Sequence, residues 1–440
     1  MRRFLYITPY FPPQTRVGAL RPLKFARHLP DYGWAPVVLC DLWPKAKTDP
    51  TLLEAVPEST IVVRSYSRRA RSAEDFHTRR WSGQRDEDRH KVRRPGRENS
   101  LVASIPDWLN NPELVPLGEH SYRMPYALRR AHETLERFPC DAIVVNADPY
   151  AACLVGARLK HETGLPLVLD LRDPWAPCEL RRPRRPMPVR VVVDRLEKRC
   201  ISAADRVILN TKTTWEDYRA FYPQLGAERF EWIRNHSDPG LIGGGDHRGF
   251  DRYTMLFLGN FGRFIKADVL INVLAMLKSR GLGADKVQLV VTGDFPAAAW
   301  KMASGMGVGN MVHLHEHVPY REIGSIMNAA DLLVLLIQPR GRQRLAAKLF
   351  DYLASERPIL AVSENEELRQ MLNDSGAGAT FGYEQAAAIA DHIEAEIGRG
   401  RQRKAARNPI GVTSAEASKK LAGILDAIAQ PQAERAVHAR

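Results

Sequence analysis

Long apolar runs are missing from this chain. No stretch of its 440 residues approaches the ~18 apolar residues that a membrane helix needs. The opening Met1-Arg2-Arg3 leads straight into Phe4-Leu5-Tyr6-Ile7-Thr8, an apolar segment too short for a signal peptide and closed by Pro9. A cytoplasmic protein is expected. Cysteine is scarce as well. The five residues Cys40, Cys140, Cys153, Cys178 and Cys200 are odd in number, scattered and without a Cys-x-x-Cys pair. That excludes a disulfide framework and a zinc knuckle and leaves buried thiols. No Asp-x-Asp stands in a loop suited to a metal. His313, His315 and His317 alternate as strand neighbours would, but lack the carboxylate or thiolate partners of a zinc site, so no metal is expected.

What the chain does have is positive charge in two places. The formal net charge is +13. Residues 67–99 hold 11 Lys/Arg against 6 Asp/Glu, and residues 181–199 hold 8 against 2. These two stretches account for 11 of the 13 charges. Charge so confined fits an enzyme with basic loops better than a nucleic-acid binder, and no nucleic-acid-binding module is recognisable. Residues 67–99 are also poor in aliphatics and read as a flexible insertion. Clustered Lys/Arg, with Trp108 nearby, favours peripheral contact with an anionic membrane at its inner face; solvated loops are the competing reading.

Hydrophobic residues at 44 % and charged residues at 26 % provide for sizeable cores, and the length suits two domains. The first half alternates apolar runs (4–8, 36–39, 142–145, 167–169, 207–209) with helical spacing such as Leu20, Leu23, Ala26 and Leu29. The runs are continuous, as in strands buried on both faces of a parallel sheet. Turn formers cluster over Asn235–Asp251, among them Asp238-Pro239-Gly240 and Gly243-Gly244-Gly245, and read as a linker. The alternation then restarts, with strands predicted at Thr254–Leu258, Val287–Val291, Met311–Leu314, Leu332–Ile337 and Pro358–Val362. Ala415–Ala429 reads as a weak helix. Two doubly wound α/β sheets facing a central cleft result, with ligands expected beyond the carboxyl ends of the strands.

Three segments of the second half carry chemistry. Gly259-Asn260-Phe261-Gly262-Arg263-Phe264-Ile265-Lys266 follows a buried strand and opens a helix, so its backbone N–H groups suit a phosphate. Arg263 could bind that phosphate bidentately and Lys266 as a point charge. An ordinary turn with surface bases is the alternative. Gly293-Asp294 ends the next strand and should lie along the same edge. On the helix Ala347–Ser355, Lys348 and Asp351 are three apart and share a face. There the lysine could neutralise a phosphate and the carboxylate could accept the two hydroxyls of a ribose. A surface ion pair, worth little, is the alternative.

Taken in order, Gly259–Arg263, Gly293–Pro296, Ala329-Ala330-Asp331 with its strand, and Lys348–Pro358 resemble the donor half of family 4-like bacterial glycosyltransferases of the GT-B fold. Thr8–Pro13, Val17–Arg21 and Asp170–Trp175 resemble the same group, over about residues 4–60 and 105–400. The resemblance implies a Rossmann-like acceptor domain at 1–238, a linker at 239–251, a Rossmann-like nucleotide-sugar domain at 252–410 and a terminal helix and tail at 411–440. It implies retaining, metal-independent transfer from a nucleoside diphosphate sugar, UDP- or GDP-linked, to a hydroxyl acceptor, in surface polysaccharide, glycolipid or natural-product glycosylation. It implies no cofactor, the donor being a co-substrate, and the acceptor is a lipid-linked one in many such enzymes. Arg263 and Lys348 would meet the diphosphate. Gly259, Asn260, Gly262, Lys266, Gly293, Asp294, Gln343, Leu349 and Asp351 would form the rest of the donor site. Gly18, Arg21, Asp170 and Asp173 would lie on the acceptor side, Asp173-Pro174-Trp175 being equally a structural turn. The chain departs from the pattern at Gln343, where the first of two acidic residues belongs, at Asp351, shortened from Glu, at Ala346-Ala347 in place of Pro-Ser, at Glu356 in place of glycine, and in a first loop reduced to Gly18. A nucleotide-sugar epimerase and a catalytically degenerate scaffold are the rival functions.

Overall fold

In the computed structural model, the residues described are 1–41, 47–65, 116, 124–147, 149–243, 249–261, 265–316, 318–339, 341–401, 404–405 and 413–429. The basic insertion at 67–99, Trp108, Gly262, Arg263 and His317 lie outside them. The chain divides into two compact units, Met1–Arg234 with Ala417–Arg440, and Asn235–Glu416.

The first unit runs β1 (Arg2–Ile7), α1 (Val17–His28), β2 (Trp34–Asp41), β3 (Ile61–Ser65), α2 (Met124–Arg137), β4 (Ala142–Ala147), α3 (Ala151–Thr163), β5 (Leu167–Leu171), α4 (Met187–Ala203), β6 (Arg206–Leu209), α5 (Lys212–Phe221) and β7 (Phe230–Trp232). Its seven strands are parallel in the order β3-β2-β1-β4-β5-β6-β7. Strands β4 and β5 are buried at every residue, which is why their sequences are unbroken apolar runs rather than alternating ones. The order reverses between β1 and β4.

The second unit runs α6 (Pro239–Ile242), β8 (Tyr253–Leu258), α7 (Asp268–Ser279), β9 (Val287–Thr292), α8 (Ala297–Gly305), β10 (Val312–His315), α9 (Ile323–Ala329), β11 (Leu332–Leu336), α10 (Ala347–Ala354), β12 (Ile359–Val362), α11 (Glu366–Ser375), β13 (Gly378–Phe381) and α12 (Ala386–Gly398). Its parallel order is β10-β9-β8-β11-β12-β13, reversing between β8 and β11. One core lies between the sheet and α7, α8 and α12. The other lies under α9, α10 and α11.

A last helix, α13 (Ser414–Ile428), carries the chain back to the first unit. Leu421, Ala422 and Leu425 join Phe4, Tyr6, Phe25 and Trp34 in one cluster. Asp426 accepts from the Trp34 indole at 2.9 Å and pairs with Arg2. The two crossing segments meet where Ser414 N–H donates to the Ser237 carbonyl at 2.8 Å and its hydroxyl lies 2.8 Å from His236 Nδ1.

All ten strands predicted from the apolar runs are present. Strands β3, β7 and β13 are additional. They are short and largely half-buried, so they carry no long apolar run. Within the stretch read as a linker, residues 239–242 instead form α6, with Leu241 and Ile242 buried. An Asp-Pro start and a glycine just past the end delimit a helix as well as they punctuate a turn.

Candidate functional site

The order of the second sheet reverses at β8 and β11, and there the two strands separate. They pair only at Met255–Leu332 and Leu256–Leu333, whereas β8 follows β9 to its last residue, Leu258, opposite Thr292. The gap leaves Leu258 without a β11 partner for its peptide groups. Helix α10 supplies both missing partners. The Tyr352 hydroxyl accepts from Leu258 N–H at 3.0 Å and lies 3.3 Å from the Val334 carbonyl of β11, to which it donates. Lys348 Nζ donates to the Leu258 carbonyl at 2.9 Å and sits 3.7 Å from the centroid of the Phe257 ring. Lys348 and Tyr352 are four apart, one above the other on a helix face. Either Leu258 group, left buried and unpaired, would cost about 1–3 kcal/mol.

Two glycine turns border this gap. Gly259 continues the ladder by donating to the Thr292 carbonyl at 3.0 Å, then turns at φ 103° with nothing within 4 Å of where a Cβ would stand. Gly293 has φ 142°, and a Cβ there would come within 2.7 Å of Asn260 Oδ1 and the Gly259 carbonyl. Only glycine allows the two loops to meet so closely. Asn260 Oδ1 closes the contact by accepting from Asp294 N–H at 2.9 Å. Gly259, Asn260, Gly293 and Asp294 are thus brought together. Lys266 is exposed just ahead of α7.

Helix α10 begins at this edge. Its N-cap, Ala346, offers no side-chain cap, and its first turn contains no acid. The positive end of the helix therefore has no built-in anion, and Lys348 stands beside it. Part of Lys348 reaches the surface, yet the protein around its ammonium lowers the pKa to about 7 through burial. Leu349 is wholly buried in the core, so it has only its backbone to offer. Gln343 is buried too, in a loop shaped by Asn365. The Asn365 amide nitrogen donates to the carbonyls of Gly341, Arg342 and Arg344 at 2.9–3.1 Å, and its oxygen caps α11 at Leu368 N–H. Asp351 is buried, and both its oxygens receive the Tyr320 hydroxyl, at 3.0 and 3.1 Å. Tyr320, Tyr352 and Asn365 escape sequence reasoning because aromatic and helix-start residues ordinarily belong to a core and a cap. His313 and His315 lie half-buried on the edge strand β10.

In the first unit, Arg21 and Asp170 form a buried bidentate pair at 2.8 and 2.9 Å. Arg21 also donates to the carbonyls of Ile233 and Arg234, and Asp170 accepts from Asn146. This pair ties α1 to β5 at the carboxyl edge of the sheet. Gly18 is needed for packing, since a Cβ there would lie 2.8 Å from Arg172 and 2.9 Å from Tyr10. In the turn after β5, Trp175 stacks on Tyr150 with ring centroids 4.9 Å apart, and the Pro174 carbonyl accepts from the Tyr150 hydroxyl. Pro174-Trp175 is therefore a clamped turn that presents a half-buried Asp173.

The clamp centres on Glu197, which has no exposed surface. Its carboxyl receives Tyr218 at 2.5 Å, Tyr222 at 2.6 Å and Ala176 N–H at 3.1 Å. Burial still dominates and raises its pKa to about 7. Folding therefore favours the protonated form. The stabilisation is complete below the unfolded value near 4.5 and is lost as pH rises through about 7. Between pH 5 and 8 the first unit should lose on the order of 3 kcal/mol, measured by denaturant unfolding. In Glu197→Gln that slope should vanish.

Comparison with known proteins agrees with this architecture. The family model "Glycosyltransferase Family 4" matches residues 23–240, and "Glycosyl transferases group 1" matches residues 248–408. A D-inositol 3-phosphate glycosyltransferase of Catenulispora acidiphila is 25 % identical over 228 residues, 48 % of this chain and 54 % of that protein. The chain thus spans about half the length of the curated relative it matches. Among solved structures, sucrose-phosphate synthase from Thermosynechococcus elongatus superposes with a TM-score of 0.60 at 12 % identity, covering 98 % of this chain and 95 % of that one. Anabaena HepE, solved with UDP-glucose, gives 0.56 at 14 %, covering 100 % of both chains. With two parallel-sheet α/β units and both family models in sequence, the chain belongs to the family 4-like glycosyltransferases of the GT-B fold.

Proposed function

We propose that this chain moves a sugar from a nucleoside diphosphate sugar, UDP- or GDP-linked, to a hydroxyl acceptor with retention of anomeric configuration. The observation that carries the proposal is the uncapped start of α10, with Lys348 beside it, at the strand gap between two glycine turns. Bond cleavage leaves negative charge on the diphosphate. A fixed cation and preoriented N–H groups stabilise that charge without reorganising. Lys348 and the α10 N–H groups take this role, Arg263 the bidentate contact and Lys266 a weaker one. Charge compensation then comes from side chains rather than a resident metal. The departing phosphate accepts the acceptor's proton, so no separate base is assigned. Acceptor contacts fall to Gly18 and Asp173, on the edge that Arg21 and Asp170 hold in place.

Thermal-shift measurements with UDP, GDP and their sugars test this, since a ligand of the folded state raises Tm. One nucleotide series should stabilise the wild type, and Lys348→Met and Arg263→Ala should each lose tenfold or more in affinity. A folded protein that responds to none of them would favour the non-catalytic scaffold, which Gln343 in place of an acid would suit. Epimerisation of the donor without any acceptor would favour the epimerase.

The acceptor is proposed to be lipid-linked and met at an anionic membrane face. This rests on the exposed arc of α4. Met187 and Val192 are 69 % and 41 % exposed, and Arg195, Lys198 and Arg199 continue the arc at helical spacing. Of the helix's two acids, Asp194 is paired with Arg182 and Glu197 is buried. Apolar residues beside unopposed bases suit a lipid interface. Among the described residues no helix is long and apolar enough to cross a membrane. The protein should co-sediment with vesicles containing phosphatidylglycerol but not with pure phosphatidylcholine, and Met187→Glu/Val192→Glu should abolish this. Equal sedimentation of the variant would contradict it.

A further inference from the structure

Asn365 caps α11, but a cap does not require its amide. Its side-chain oxygen accepts from Leu368 N–H at 2.9 Å, which satisfies the helix start. Asp and Ser fill that role about as well. The amide nitrogen serves a different element, the loop between β11 and α10. The carbonyls of Gly341, Arg342 and Arg344 converge on it at 3.1, 2.9 and 2.9 Å. Carbonyl oxygens repel one another, so a cluster of them needs a donor with more than one proton. Among the capping residues Asn alone joins such a donor to an accepting oxygen. Its backbone is fixed as well. The N–H donates to the Ser363 hydroxyl at 3.0 Å, and the carbonyl accepts from Arg369 N–H at 3.1 Å. The residue is 1 % exposed. The corner between β12 and α11 thus shapes a loop that belongs to a neighbouring strand.

That loop carries Gln343 and leads into α10. Arg344 N–H donates to the Gly341 carbonyl at 3.1 Å, which makes Arg342 and Gln343 the central residues of a turn. A Cβ on Gly341 would stand 2.9 Å from the Gln338 carbonyl, so the turn has little slack. Gln343 is buried within it, between peptide groups whose carbonyls Asn365 holds.

We propose that Asn365 is a positioning residue for recognition of the donor's sugar: its amide fixes the turn that presents Gln343 ahead of α10. This rests on the reading of this edge as the nucleotide-sugar site. Asn365 acts only through the turn. Lys348 does not depend on the turn, because it is anchored to the Leu258 carbonyl. Removing the amide should therefore blur the choice of sugar and leave nucleotide affinity in place.

The test is calorimetric titration of the full chain with UDP, GDP, UDP-glucose, UDP-galactose, UDP-N-acetylglucosamine, GDP-glucose and GDP-mannose. On the nucleotide that binds, the wild type should prefer one sugar by about tenfold, the weight of one hydrogen bond. Asn365→Asp and Asn365→Ser both keep the cap and lose the amide, and Ser avoids setting a carboxylate against the carbonyls. Both should bind the bare nucleotide within about twofold of the wild type and its sugars within about threefold of one another. Gln343→Ala should level the sugars in the same way with Asn365 intact. A merely structural defect would weaken the bare nucleotide in step with its sugars, and that result in both Asn365 variants would overturn the proposal. Sugar preference that survives in both of them or in Gln343→Ala, or that is missing from the wild type, would overturn it too. Failure of the wild type to bind either nucleotide would instead remove the donor-site reading and this inference with it.

Discussion

The arrangement of the second unit depends on how the chain satisfies Leu258. Where a parallel sheet reverses its strand order, the neighbouring strands diverge at their carboxyl ends and leave peptide groups without ladder partners. At β8 and β11 the partners come from a helix. Tyr352 and Lys348 reach back from α10 to the N–H and carbonyl of the same residue. This one repair has three consequences. It fixes the start of α10 at the gap. It holds a lysine ammonium where burial lowers its pKa to about 7. It also brings Gly259, and through it Gly293 and Asn260, to the same edge.

The functional reading grows from that geometry because the site is made of unfinished features. A helix start without a cap, a glycine with open space where its Cβ would stand and a partly desolvated cation are each unremarkable alone. Placed at one strand gap, they favour an anion whose charge increases during reaction. The first unit shows the opposite pattern. Arg21, Asp170 and Asn146 complete one another, and Glu197 gathers three donors. These groups fix the shape of an edge.

Much of this was legible in the sequence, for identifiable reasons. Short unbroken apolar runs rich in β-branched or aliphatic residues, such as Ile143-Val144-Val145 and Leu332–Leu336, suit strands covered on both faces, and their alternation with helical spacing points to the two sheets. Gly259 and Gly293 were marked by their position after such strands. The partners of Lys348 and Asp351 were not legible. Helical spacing places the two on one side of α10, but it does not say that the lysine would turn to a backbone carbonyl or the aspartate to Tyr320. The resemblance assigns Arg21 and Asp170 to one side, but their direct pairing across 149 residues is a long-range contact that no local pattern encodes. The return of α13 to the Trp34 core was hidden for the same reason.

We propose that the Lys348 ammonium, held at the start of α10, receives the donor's diphosphate. NMR of the protein carrying 13C-labelled lysine, titrated from pH 5 to 10 with and without UDP and GDP, observes that group directly, and Lys348→Met assigns its signal. The Lys348 signal of the free protein should titrate near 7, and the nucleotide that binds should raise that value by a unit or more, since a nearby anion favours the charged form. A Lys348 signal that titrates at the same pH with and without a bound nucleotide would contradict the account.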